Sequence, residues 1–385
     1  MRIAISGMFW TEPHVGSGQY LHNLVEQFAA QPNGHRFILV IPRYLKPQKP
    51  SLPHFQTVVM PTPFDGRNDN LAKVWFEQIS LGQVCRKLRA DLVHVPYFGA
   101  PRYLRIPTVV TVHDLIPLLV PGNRGSRAVQ MYMRLASSSA RQATKIIADS
   151  QHTKDDIVKH LNIPDERIVV THLAAAPTLT PQPRAAIQTT LERFRLSDPY
   201  VFYIGGFQAH KNVAMAIRAF ARARRSLDRR VMLVIAGRLP TSQSPLFPDI
   251  HKVILEEQIA ADVALLGPVS EDEKAALMSG CHAFVYPSRY EGFGLPPLEA
   301  MQCGAPTFAS STTSVGEVVG DGGVQLPPDD LAAWTDALTR VLRDETWRAQ
   351  LSAQGLQRAG EFSWQTTATQ TLAIYEQRPA GRAPQ

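Results

Sequence analysis

Two series of short, almost wholly apolar runs, each interleaved with amphipathic segments, constrain this chain more than any other feature. In the first half the runs fall at 2–6, 37–41, 57–61, 91–95, 108–113, 145–149 and 168–173. They are rich in Val and Ile and apolar on nearly every residue, which predicts strands covered on both faces. Amphipathic stretches near 18–31, 70–89, 126–142 and 152–161 lie between them. Thr153 followed by Asp156 reads as the capping signal of the last. Such alternation predicts a parallel sheet flanked by helices.

The pattern breaks at 177–199, where Pro177, Pro181, Pro183 and Pro199 surround one helical piece near 185–195. This reads as a linker. The alternation then restarts, with strands expected at 200–205, 231–236, 263–266, 283–287 and 306–309 and a short one at 324–326. Helices are expected at 212–226, 249–258, 270–279, 296–303, 329–343, 345–360 and 364–376. The fold class is therefore α/β, with two doubly wound Rossmann-like domains. Residues 1–178 form the first, 179–199 the linker and 200–363 the second. Residues 364–385 are a helix and frayed tail expected to pack back towards the first domain. Ligands of such sheets sit outside the carboxyl ends of the strands, so the chemistry is expected in loops that follow strands, facing a cleft between the domains.

Length agrees with this division, since 385 residues exceed one compact core. No apolar run approaches the roughly 18 residues of a spanning helix. The opening MRIAIS reads as a strand and not as a leader, so a cytoplasmic protein is expected. Cys85, Cys281 and Cys303 are too few and scattered for a disulfide framework or a zinc site. Charge is divided: residues 1–190 carry 21 Lys and Arg against 12 Asp and Glu, the remainder 19 against 21. The basic first half is expected to meet something anionic.

Four segments carry chemistry. In PSRYEGFGLPPLEAMQCGAP, residues 287–306, Glu291 and Glu299 stand eight apart. Gly292, Phe293, Gly294 and Leu295 follow the first glutamate, and Pro296 and Pro297 suit a helix's first turn. Two carboxylates flanking an amide-rich helix start suit a polyhydroxylated molecule bearing phosphate. The plainer reading makes Glu299 a first-turn acid favoured by the helix dipole and Glu291 a solvated loop residue. In YVFYIGGFQAHKN, residues 200–212, a strand ends in Gly205 and Gly206. Lys211 and Asn212 then sit where a phosphate would be neutralised, or else form a surface lysine beside an Asn cap. In VGSGQYLHNL, residues 15–24, Gly16 and Gly18 suit close backbone approach to a phosphate. A dinucleotide fingerprint fails there, because Leu21 stands where glycine is required. In PTVVTVHDLIPLL, residues 107–119, His113 and Asp114 end a buried strand; His113 reads as a polar site residue or a satisfied structural histidine.

Together these segments resemble retaining glycosyltransferases of the GT-B fold, in the large sequence family four. EGFGLPPLEAM matches the family's paired-glutamate pattern, HKN its phosphate-binding lysine, VHDL its acceptor-side histidine and GSGQY its N-terminal glycine loop. LLGPVSEDE and ADSQHTKDDI are also typical. The likeness runs over about residues 1–360, and VHDLIPLL with YIGGFQAHKN looks most like bacterial mannosyltransferases of polysaccharide assembly, which often use GDP-mannose.

The resemblance implies that Glu291 contacts hydroxyls of the donor sugar and that Glu299 holds the ribose. The amides of 292–295 and Lys211 would face the pyrophosphate, and Gly16 and Gly18 would close over the phosphates. His113 would contact the transferred sugar. The base would lie near 267–270. Gly206 stands where many relatives carry an arginine, which throws the phosphate clamp more onto Lys211, with Arg238 or another residue supplying the rest. No cofactor or metal is implied, the donor being a GDP- or UDP-sugar and the acceptor a glycan or lipid-linked molecule. Front-face attack with retention is the expected mechanism.

Residues 121–145 hold Arg124, Arg127, Arg134, Arg141 and Lys145 and no acid. They read as a surface for anionic lipid on the inner membrane face or for a lipid-diphosphate acceptor, or as a solvated basic face. The cluster between Arg218 and Arg230 reads as an exposed helix. Rival activities are a nucleotide-sugar epimerase, a phosphorylase-like enzyme and a non-catalytic sugar-nucleotide binder. Nucleic-acid binding is disfavoured, since no recognition motif or aromatic ladder is present.

Overall fold

The computed structural model describes residues 1–30, 34–48, 50–242 and 244–377. The tail 378–384, expected to be frayed, lies outside the described residues. The chain divides into two compact units. One comprises residues 1–118, 124–173 and the C-terminal segment from Trp364; the other comprises 119–123 and 174–363.

The first unit is built on seven parallel strands: β1 Arg2–Ser6, β2 Arg36–Pro42, β3 Phe55–Met60, β4 Leu92–Val95, β5 Thr108–Val112, β6 Lys145–Ala148 and β7 Ile168–Val170. Their order is β3-β2-β1-β4-β5-β6-β7. Ile3 registers with Phe37 on one side and Leu92 on the other. β4 and β5 are buried at every residue, as strands sandwiched between helix layers must be. The helix Gly16–Ala30 seats Tyr20, Leu21, Leu24, Val25 and Phe28 in the core, and Phe28 stacks on Phe37 at 4.9 Å.

The final helix, Trp364–Glu376, belongs to this unit. Its Thr367 hydroxyl donates to the His172 carbonyl at 2.7 Å. Tyr375 meets His94 Nδ1 at 2.6 Å in the core.

The second unit holds six parallel strands: β8 Tyr200–Ile204, β9 Met232–Ala236, β10 Val263–Gly267, β11 Ala283–Tyr286, β12 Thr307–Ser310 and β13 Val324–Leu326. Their order is β10-β9-β8-β11-β12-β13. The segment 179–199, read as a linker, falls inside this unit. Its helix Arg184–Phe194 buries Leu191, and Gly280 of the helix Glu271–Gly280 is pressed against Ile187 and Tyr200.

One local expectation is corrected. The helix Gln151–Leu161 is capped by Ser150, not Thr153. Ser150 has the extended backbone a cap requires, and its hydroxyl accepts from the Thr153 amide at 3.0 Å. Thr153 is itself within the first turn. The three cysteines are free and buried.

Candidate active site

Strand order places the second unit's site. The direction of winding reverses between β8 and β11, and at such a switch point the loops leaving the two strands part and open a crevice. The β8 loop carries Lys211 and the β11 loop carries Glu291. Lys211 Nζ donates to Glu291 Oε1 at 2.7 Å and to Oε2 at 2.8 Å. The Tyr286 hydroxyl, at the end of β11, donates to Glu291 Oε1 at 2.8 Å and accepts from Lys211 Nζ at 3.2 Å.

Glu291 is buried. Burial by itself raises its pKa. The Lys211 ammonium and the hydrogen bonds from Lys211, Ser288 and Tyr286 outweigh that and hold the carboxyl below its ordinary value. The site therefore presents a buried ion pair, with the ammonium held in a fixed place.

The loop 287–294 leads into the helix Leu295–Gln302, whose cap is Gly294 at φ 107°. Only glycine takes that backbone cheaply. Pro296 and Pro297 occupy the first turn, where a missing N–H costs nothing. Gly292 and Phe293 are buried, and the Phe293 ring meets Phe362 edge-on at 6.0 Å. Glu299 is also buried, and its Oε1 accepts from Lys274 Nζ at 3.1 Å. Burial raises the Glu299 pKa, offset in part by Lys274. The charges of both Glu291 and Glu299 reach Tyr286, so the two glutamates share one neighbourhood although each holds a different lysine.

The remaining residues of the β8 loop have structural ties. Asn212 occupies the cap position of the helix Val213–Arg225 in a left-handed backbone, yet its side chain does not cap. Its amide donates instead to the Pro328 carbonyl at 2.7 Å. At Gly206 a Cβ would meet only the flexible end of Gln208, at 2.2 Å. The ends of β8 and β9 abut: a Cβ on Gly237 would lie 2.2 Å from the Gly205 carbonyl oxygen. Arg238, next in sequence, is exposed. In the loop 267–270, Ser270 closes a reciprocal capping box with Glu273.

In the first unit His113 follows β5. Its Nδ1 lies 2.7 Å from Asp149 Oδ2 and its Nε2 3.2 Å from the Pro96 carbonyl oxygen. Both partners accept, an arrangement that suits a ring protonated on both nitrogens. Burial lowers its pKa, but Asp149 and Asp114 raise it further, and the net direction is up. The ring thus has an internal role whatever else it touches. Asp114 accepts from the Ile116 amide at 2.8 Å. At Gly18 a Cβ would lie 1.8 Å from the Glu12 carbonyl oxygen, whereas at Gly16 it would meet nothing within 4 Å. The close approach that requires glycine at 18 is to the protein's own backbone.

Sequence reasoning missed Asp149, Tyr286 and Lys274. Asp149 ends a predicted strand and is the polar residue beside His113 across β5 and β6, which is the only signal it offered. The basic segment divides in the structure. Met131 is 69% exposed, while Met133 is core. Arg141 lies beyond the helix Arg127–Ala140 and donates to the Leu161 carbonyl at 2.8 Å. Lys145 donates to the Glu166 carbonyl at 3.0 Å. In the second cluster Arg218 and Arg225 pair with Glu257, and Arg224 and Arg230 with Asp262. Among the described residues, no group of three or more His, Cys, Asp or Glu side chains is placed to hold a metal ion, and no helix is long and apolar enough to cross a membrane.

Comparison with known proteins agrees with this arrangement. Residues 15–175 match the family described as glycosyltransferase family 4, and residues 191–358 the family described as glycosyl transferases group 1. The chain is 32% identical over 292 residues to the O-antigen chain mannosyltransferase B of Escherichia coli, covering 76% of this chain and 75% of that one. It is 31% identical over 268 residues to the serotype-specific mannosyltransferase WbdA of Escherichia coli, covering 68% of this chain but only 32% of that longer protein. Among solved structures, sucrose-phosphate synthase from Thermosynechococcus elongatus shares the fold with a TM-score of 0.78, at 20% identity over 98% of both chains. Paired glutamates and a lysine at the switch point, on two parallel α/β units and with these relatives, place the chain among the GT-B glycosyltransferases of the family 4 and group 1 type, enzymes that move a sugar from a nucleotide-diphosphate donor to an acceptor.

Proposed function

We propose that this glycosyltransferase is a retaining mannosyltransferase that uses GDP-mannose to extend a glycan or lipid-linked acceptor, without a metal. The observation that carries the reading is the Lys211–Glu291 pair, with Nζ 2.7 Å from Oε1 at the β8/β11 switch point. The choice of mannose follows the names of the relatives.

In this reading the donor diphosphate replaces Glu291 as the main partner of Lys211, with Arg238 supplying a second positive charge in place of the arginine absent at Gly206. The released Glu291 carboxylate then accepts from sugar hydroxyls, and Glu299 from the ribose. The amides of 292–295 complete the clamp where negative charge grows as the bond to the leaving phosphate breaks. Gly16 and Gly18 line the phosphates, and His113 contacts the transferred sugar. The acceptor hydroxyl attacks from the side the phosphate leaves and passes its proton to that phosphate.

The exposed end of the helix Arg127–Ala140, with Arg127, Arg134 and Met131, is assigned to anionic lipid on the inner membrane face. Liposome co-sedimentation that ignores anionic lipid content would count against that part.

The test is a thermal-shift panel of GDP-, UDP- and ADP-sugars followed by product analysis. GDP-mannose is expected to give the largest shift, because only a ligand bound by the native state stabilises it. A largest shift with another donor overturns the choice of sugar, and release of free sugar-phosphate overturns the reaction.

A further inference from the structure

In the first unit, Gly16, Gly18 and His113 follow the carboxyl ends of β1 and β5. At the opposite edge of the sheet, where β1, β2 and β3 begin, lies an open cavity of about 690 Å³, a size that suits a small ligand. Arg2 is the first residue of β1, Arg36 of β2 and Phe55 of β3. All three line the cavity, together with His54, Lys87 and Arg89. Lys87 ends the helix Leu81–Lys87, and Arg89 follows two residues on. β1 is five residues long, so roughly 16 Å of strand separates the cavity from the loop that follows β1.

The charge of this cavity has one sign. Four of its lining residues are cations and none is a carboxylate. Arg2 and Arg36 register side by side in the sheet, at a strand spacing of about 4.8 Å, a placement that sets like charges against each other. The Arg2 guanidinium donates to the Leu88 carbonyl at 3.3 Å, and Asp91 is taken by the Arg2 backbone amide at 2.7 Å. Among the described residues, no carboxylate pairs with the side chain of Arg36, Lys87 or Arg89. The backbone along this edge is satisfied from within: the Arg36 amide donates to the Met1 carbonyl at 2.9 Å and the Phe37 amide to the His54 carbonyl at 3.1 Å. Two lining residues also hold left-handed backbone, His54 at φ 64° and Arg89 at φ 51°. Arg89 closes its helix there, with the Ala90 amide on the Cys85 carbonyl at 2.9 Å. Glycine takes that cap most cheaply, so the arginine is kept at a backbone cost. A helix end favours a cation, but it gives no reason for Arg36 at the start of β2.

We propose that this cavity is a second anion site, which binds a diphosphate group between Arg2, Arg36, Lys87 and Arg89. Cations set side by side without a carboxylate call for a partner with several negative charges. A single carboxylate would leave most of them unneutralised. A diphosphate carries several charges on adjoining oxygens, and those oxygens match the forked donors of three arginines. Phe55, half-buried and stacked on Phe37 at 4.8 Å, gives the organic part of a diphosphate ester an apolar wall. The same group is presented by a soluble diphosphate and by a lipid diphosphate headgroup. The site stands at the other end of the sheet from the first-unit residues assigned to transfer, so it does not depend on the glycosyltransfer reading. A bound diphosphate relieves the repulsion between Arg2 and Arg36 and thereby stabilises the folded chain.

The test is calorimetric titration of inorganic pyrophosphate into the full chain carrying Lys211→Ala, which takes the lysine proposed for the donor phosphates out of the readout. Adding Arg36→Gln with Arg89→Gly is expected to weaken binding at least tenfold. The melting temperature without ligand should hold, since both side chains are exposed and glycine suits the backbone at 89. Arg184→Gln with Arg222→Gln removes the same charge from two exposed positions outside the cavity and should leave affinity within twofold. A second arm uses phosphatidylcholine vesicles bearing a polyprenyl diphosphate. Vesicle capture that Arg36→Gln with Arg89→Gly abolishes assigns the site to a lipid headgroup; pyrophosphate binding without vesicle capture assigns it to a soluble diphosphate. A parent chain that binds neither probe at millimolar concentration overturns the proposal. So does undiminished binding in the cavity variant, or an equal loss in the Arg184 and Arg222 control, which would reduce the effect to net charge. Should Lys211→Ala fail to fold, the same comparison in the wild-type background decides, the cavity variant losing one class of pyrophosphate site.

Discussion

Lys211 Nζ lies 2.7 and 2.8 Å from the two carboxylate oxygens of Glu291, across eighty residues of sequence. The lysine proposed for the phosphates and the glutamate proposed for the sugar neutralise each other. The arrangement stores both groups in position and keeps each buried charge paired.

Removing either partner has two consequences. Lys211→Ala leaves Glu291 as a buried carboxylate without its counter-ion, a change that typically costs about 3 kcal/mol. Urea unfolding should show that loss. Transfer should fall by about a hundredfold or more, the usual effect of deleting a charge-stabilising donor. Glu291→Ala should likewise abolish transfer in a chain that still folds. Full activity in either purified variant would remove these residues from the site.

Acid should act through the same pair. The folded-state pKa of Glu291 lies below its ordinary value of 4.5. The stability it contributes is therefore present above pH 4.5 and is lost as pH falls through the folded value. Glu291→Gln should flatten that part of the stability curve. The check is denaturant unfolding of both proteins from pH 6 downwards; parallel curves would contradict the assignment.

His113 predicts the opposite sign. Its pKa is raised above 6.5, so the stability it contributes is complete below that pH and is lost as pH rises through the folded value. Asp149→Asn should lower the ring's titration midpoint and weaken that alkaline loss. NMR titration of the His113 ring reads both proteins directly, and an unmoved midpoint would refute the role given to Asp149.

The two glycines of the first loop should separate. Gly18→Ala drives a Cβ to 1.8 Å from the Glu12 carbonyl oxygen, a backbone atom that cannot step aside, and should destabilise by about 1–3 kcal/mol. Gly16→Ala meets nothing within 4 Å and should change stability by less than about 0.5 kcal/mol. Loss of donor affinity in Gly16→Ala at full stability would show that a ligand approaches that backbone. Unchanged affinity would confine the loop's glycine requirement to folding.

Much of the site was legible because its signals are local. The glycines and prolines of 287–304 mark a loop and a helix start in any context, and Lys211 follows a strand whose apolar run announces itself. Glu77 shows the limit. In sequence it is one acid within an amphipathic stretch, and nothing local says that the π-helical turn Phe76–Ser80 will bury it completely. Met131 and Met133 stand two apart in one basic stretch, yet the helix turns one to solvent and the other into the core. Thr153 was read as a cap, although Ser150, three residues earlier, has the extended backbone that a cap needs.

The amino-acid sequence by itself determined the order of strands and helices, the two-unit α/β class and the loops that carry chemistry. Strand periods, turn residues and helix starts are properties of neighbours along the chain. Only the tertiary structure decided which charged groups became partners. That depended on β8 lying beside β11 and β5 beside β6, a matter of strand order that no local pattern encodes. Desolvation followed from the same packing: it raises the carboxyl pKa of Glu299, whereas at Glu291 the Lys211 ammonium outweighs it.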